Sequence, residues 1–122
     1  MLQREIKQVF REVISCYRGN SPQLLFGKSL LGHTPKEGMA MNWGLNVILV
    51  NPQMNWNKLE LQKAFSHELG HFIHCQWIMK HPTIENRDEF LNVKSCEEIG
   101  TYLGNKLYLE KVLPTASISK DN

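Results

Sequence analysis

His67, Glu68 and His71 form a His-Glu-x-x-His sequence. Residues four apart on a helix lie on one face, one turn above each other. The two imidazoles can therefore aim two nitrogens at one point about 2 Å from each, which is how Zn²⁺ is gripped. Glu68 is turned by roughly 100° from His67, so its carboxylate lies beside such an ion without having to ligate it. Water on a bound zinc is acidic near pH 7, and Glu68 could take its proton. The chemistry is metal-assisted hydrolysis. The plainer reading is two surface histidines flanking a solvated carboxylate. Context counts against it. The motif lies within Lys58 to Lys80, a run without Pro in which Leu61, Phe65, Leu69 and Phe72 recur at helical spacing beside Ala64.

Two histidines are too few for a catalytic zinc, which usually has three protein ligands and a water. His74 is on the same stripe, seven residues after His67. It lies a turn beyond an ion already shared by His67 and His71, so it is expected at the rim or behind the ligands. Position 77, ten residues past the first histidine, is Trp77, which disfavours the three-histidine pattern of metzincins. Ser95-Cys96-Glu97-Glu98 opens a later helix with Ile99, Leu103 and Leu107 as its apolar spine. With that spine as the buried direction, Glu98 lies about 100° from Ile99 and Glu97 about 160°. Glu98 is therefore the expected third ligand, Glu97 the alternative, and Asp88 or Glu89 come behind. The competing roles are specific. Ser95-x-x-Glu98 is a capping box, and Glu97 suits a helix N-terminus electrostatically. Tyr102 and His74 are candidates for an oxyanion donor, with neither assigned. Cys75 and Cys96 fall near the motifs but read as buried or incidental thiols.

These residues need elements to hold them. Residues 2 to 18 read as an amphipathic helix with Leu2, Ile6, Val9, Phe10, Val13, Ile14 and Tyr17 on one face. Arg4, Lys7, Arg11 and Arg18 lie largely on the other, a solvated face. Gly19-Asn20-Ser21-Pro22 stops it. Gln23 to Leu31 fits either a short strand or a helical turn. Gly32 to Gly38 is a loop containing a lone His33. Met39 to Asn51 reads as a hairpin turning near Trp43-Gly44. Asn55 or Asn57 could cap the motif helix, and His81-Pro82-Thr83 breaks it. Residues 83 to 94 read as a loop over the site, and Pro114 stops the last helix.

The chain has 122 residues, enough for one domain with one modest core. The expected domain is 1–114, with 115–122 a frayed tail. A net charge of +2 carries no nucleic-acid electrostatics by itself. The longest apolar run, Val47 to Val50, is far too short to span a membrane, and the N-terminus has no signal-peptide core. Three scattered Cys do not make a disulfide framework. The expectation is a reduced, cytoplasmic protein.

The run Asn46 to Asn51, a short polar segment, and Leu61 to His71 together resemble the ImmA/IrrE family of zinc metallopeptidases. That family has a strand ending in Asn, a short connection and an Ala-His-Glu-Leu-Gly-His helix, where this chain has Ser66 for the Ala. Its third ligand is a Glu early in a later helix, followed by a small residue, an Asn and an aromatic. Glu98-Ile99-Gly100-Thr101-Tyr102 matches the Glu and the aromatic and departs at Ile99 and Gly100. Pro114 falls later than the family's helix-ending Pro. The resemblance covers about residues 46–107. It implies an α+β, zincin-like metallopeptidase domain with a small, mostly antiparallel sheet. It further implies one Zn²⁺, held by His67, His71 and Glu98, with Glu68 as base. It also implies a protein substrate, such as a transcriptional repressor of a mobile element or stress regulon. The chain is too short to add a helix-turn-helix domain, so any link to DNA would run through a partner. The alternative function is a non-enzymatic partner-binding module with a structural or vestigial zinc, recruiting His74 or Cys75 as a fourth ligand. A small binder without metal would require the motif to be accidental.

Overall fold

Helix α1 spans Gln3–Ile14 and presents Ile6, Val9 and Val13 to the interior. Its apolar positions repeat at helical spacing, so burying one face leaves Arg4, Lys7 and Arg11 in water. A computed structural model describes residues 1–17, 19–27, 38–42, 46–81 and 93–109. Strands β1 (Gln23–Phe26), β2 (Met39–Asn42) and β3 (Val47–Val50) follow α1. The long helix α2 is Lys58–Lys80. Helix α3, Val93–Gly104, runs directly into a π-helical turn, Asn105–Leu109. The described chain is thus α+β, three helices with one small sheet.

The sheet order is β1-β3-β2. β2 pairs antiparallel with β3, Met39 opposite Val50 and Asn42 opposite Val47, as a hairpin requires. β1 pairs parallel with β3, Gln23 opposite Val47 and Phe26 opposite Val50. The sheet is therefore mixed, not mostly antiparallel. A hairpin is written locally in the sequence, whereas a parallel partner joins segments with a long crossover between them. All four β3 residues are buried, as expected for a central strand covered on both faces. Asn46, just before β3, takes φ +53°, a left-handed conformation that asparagine tolerates. Asn51 closes the strand: its Oδ1 accepts from Gln53 N at 3.0 Å, and its carbonyl accepts from Trp56 Nε1 at 2.9 Å.

Asn57 is the cap of α2, its Oδ1 accepting from Glu60 N at 2.8 Å. The expected stripe is present. Leu61, Phe65, Leu69 and Phe72 are all at most 1% exposed. Phe65 packs on Phe10 of α1 at 5.4 Å between ring centroids, and Phe72 meets Tyr17 edge-on at 6.1 Å. Gln62, Ser66, Gly70 and His74 are also buried. They form a second stripe with a spacing of four, almost without apolar side chains, and this face meets α3.

Among the described residues no helix is long and apolar enough to cross a membrane. Of the expected loop over the site at 83–94, Val93 and Lys94 instead open α3; its remainder, the lone His33, the Asp88 and Glu89 alternatives, the stop at Pro114 and the tail at 115–122 lie outside the described residues.

Candidate metal centre

The contact between α2 and α3 is set by residues that lack bulk. A Cβ on Gly70 would fall on the carbonyl oxygen of Gly100, and one on Gly104 would fall on the carbonyl oxygen of Ser66. The two backbones therefore touch, closer than ordinary side chains at a helix contact would allow. Ser66 fits beneath because its hydroxyl turns back, donating to the Gln62 carbonyl at 2.6 Å. Gln62 in turn donates through Nε2 to the hydroxyl of Tyr108 at 3.2 Å, tying the π-helical turn to the start of α2.

This approach brings α3 against the histidines. Nε2 of His67 and Nε2 of His71 are 2.8 Å apart. The Glu97 carboxylate spans both, Oε2 at 3.0 Å from His67 Nε2 and Oε1 at 3.2 Å from His71 Nε2. His67, His71 and Glu97 are the group able to hold a metal ion among the described residues. Two atoms that ligate one zinc at about 2.0–2.1 Å cannot be more than about 4.2 Å apart. All three separations meet that bound, and the imidazole, imidazole and carboxylate set is one zinc takes.

Glu97, not Glu98, is thus the carboxylate that faces the histidine pair. The apolar spine does not mark the buried direction of α3. Ile99, Leu103 and Leu107 are only half-buried, while Gly100, Gly104 and Tyr108 are buried. Counted from Gly100, Glu97 lies about 60° round the helix and Glu98 about 160°. Ser95 is the third residue of α3 rather than its cap, so the capping-box role for Glu98 does not arise either. Glu98 is exposed and helps line a shallow recess of about 390 Å³ with Glu97, Thr101 and Tyr102. The sequence signal that would have found Glu97 is the pair of glycines four apart in α3, facing Ser66 and Gly70 four apart in α2.

The two histidine rings have different surroundings. His67 Nδ1 lies 3.1 Å from the Thr101 hydroxyl. His71 is buried, and its ring lies where a side chain on Gly100 would be: a Cβ there would come within 2.8 Å of Cε1 and Nδ1. Its Nδ1 has no hydrogen-bond partner among the described residues. Burial pushes the His71 pKa below the usual histidine value, neighbouring His67 adds to that, and Glu97 opposes it. A neutral imidazole is the form that ligates.

His74 is 3% exposed and is not at a rim. Burial lowers its pKa. Glu68 is half-buried and outside the three-residue group. Tyr102 lines the recess beside Glu97, 62% exposed, with the Lys106 ammonium 5.8 Å from its ring centroid. Cys16, Cys75 and Cys96 are free thiols. Burial raises the pKa of Cys75, and burial with the nearby Glu97 carboxylate raises that of Cys96.

No family model matches the chain, and no curated protein or solved structure matches it either.

Proposed function

We propose that this protein is a zinc-dependent endopeptidase of zincin-like fold, with His67, His71 and Glu97 as the metal ligands and Glu68 as the general base. One observation carries the reading. Three donors of the kinds zinc takes converge from two helices, and the carboxylate among them is 60% exposed. Such a site has three protein ligands and a side open to solvent, the pattern of catalytic rather than structural zinc. A zinc ion bound there supplies Lewis acidity toward a scissile carbonyl and makes a coordinated water acidic near pH 7. The chain's own residues do the rest. Glu68 accepts the proton of the attacking water and can return it to the leaving amine. The recess lined by Glu98, Thr101 and Tyr102 receives the substrate beside Glu97, and Tyr102 is the candidate donor to the developing oxyanion.

The resemblance to ImmA/IrrE peptidases extends the proposal to the substrate, a protein such as a transcriptional repressor from a mobile element or stress regulon, in the cytoplasm. The alternative, a binding module with a structural zinc, needs a fourth protein ligand. His74 and Cys75 stand outside the converging group.

The test is co-expression with repressors encoded beside the gene. Glu68→Gln should keep close to one zinc per chain and lose about 10² to 10⁴ in cleavage rate. Equal fragment yields from wild type and Glu68→Gln would refute the mechanism. Zinc retained with no cleavage by either protein would favour the binding module.

A further inference from the structure

The His67 ring is presented to its partners edge-on, with Nε2 facing His71 and Glu97 and Nδ1 facing α3. A neutral imidazole carries its proton on one nitrogen only. For Nε2 to offer a lone pair to an ion between His71 and Glu97, the proton must sit on Nδ1. The group within reach of that proton is the Thr101 hydroxyl, 3.1 Å away. Were Thr101 instead to donate to Nδ1, Nε2 would carry the hydrogen and could not ligate.

We propose that Thr101 is a positioning residue for His67: its hydroxyl accepts a hydrogen bond from Nδ1–H and so fixes both the tautomer and the tilt of the ring. The inference rests on the metal reading above and adds a residue that the His-Glu-x-x-His pattern does not contain. Thr101 can do this because it shares a face of α3 with Glu97, four residues earlier. The same helix face therefore supplies the carboxylate and orients one of the imidazoles. Among the described residues His71 gets no such help, since its Nδ1 packs against Gly100, which has no side chain to offer. Partners of this kind typically affect metal affinity by 10- to 100-fold. Thr101 is exposed, where water competes, so the low end applies.

The experiment measures zinc affinity of the full chain by competition with a chromophoric chelator, for wild type, Thr101→Val and Thr101→Ser. Valine keeps the shape and removes the acceptor; serine keeps the acceptor. Thr101→Val should bind about tenfold more weakly and Thr101→Ser close to wild type. In zinc-loaded protein with ¹⁵N-labelled histidine, the Nδ1–H proton of His67 should exchange slowly with water in wild type and Thr101→Ser, and be lost to exchange in Thr101→Val. Equal affinities for wild type and Thr101→Val overturn the proposal, as does a wild-type Nδ1–H that exchanges as fast as free histidine. That last measurement needs no variant to fold. Wild-type protein that takes up no zinc overturns the metal reading itself, a different failure.

Discussion

The two buried faces of α2 are built from opposite materials. Toward α1 and the sheet, the helix offers Leu61, Phe65, Leu69 and Phe72, large side chains removed almost wholly from water. Toward α3 it offers Ser66, Gly70 and the edge of His71, with backbone against backbone. The first face supplies stability, because apolar area is what burial rewards. The second supplies little area but fixes position, because two backbones in contact have no soft side chains between them to absorb error. A site whose three donor atoms must sit within about 4 Å of one another needs the second kind of contact.

Breaking the apolar face should have the largest effect on folding. Phe65→Ala should destabilise by about 3–5 kcal/mol, read by chemical denaturation. A loss under about 1 kcal/mol would mean that this face is not the core. The donors come next. Glu97→Ala should weaken zinc binding by more than about 100-fold, beyond what loss of a supporting partner does, while Glu98→Ala changes affinity little. The reverse order would return the ligand role to Glu98. Both residues are exposed, so the thermal melts of the metal-free variants should stay close to wild type.

Gly70→Ala sharpens the contrast between the faces. Alanine favours a helix over glycine by about 1 kcal/mol, yet here the added methyl meets the Gly100 carbonyl. The expected outcome is a net loss of about 1–3 kcal/mol from overpacking, together with weakened zinc binding because Glu97 moves away with α3. A stabilised variant with unchanged affinity would show that the helices do not touch there.

The smallest effect is on pH dependence. Burial lowers the folded-state pKa of His71 and His74 below the unfolded value of about 6.5. Below that value the unfolded chain binds more protons than the folded one, so stability should fall as pH drops through and beneath about 6.5 and level off above it. Melts of chelator-treated protein between pH 8 and 5 would measure the slope, and His74→Gln should flatten it. A flat profile in the wild type would mean that neither ring is held neutral.

Much of the scaffold was legible from local pattern. The α2 limits follow from a Pro-free run between two candidate caps, Asn55 and Asn57, and the break at His81-Pro82, and the β2–β3 pairing follows from two short runs around a turn. β1 remained ambiguous because its partner is chosen by a parallel pairing that no local signal encodes. The histidine pair and Glu68 were legible because a helix fixes their relation within five residues. The place of Glu97 beside them was not, because it depends on how a second helix is rotated, and that rotation follows small residues rather than hydrophobic ones. Thr101 was missed for the same reason.

His71 and Glu97 are separated by 26 residues in sequence. An ion shared between them would act as a reversible cross-link, closing a loop that contains the whole connection from α2 to α3. On the chain-entropy scale used for disulfides, closing a loop of that length restricts the unfolded ensemble by about 3.5 kcal/mol at 25 °C. Chelation would therefore weaken the docking of α3 without undoing it, and leave the packing of α1, the sheet and the large-residue face of α2 untouched.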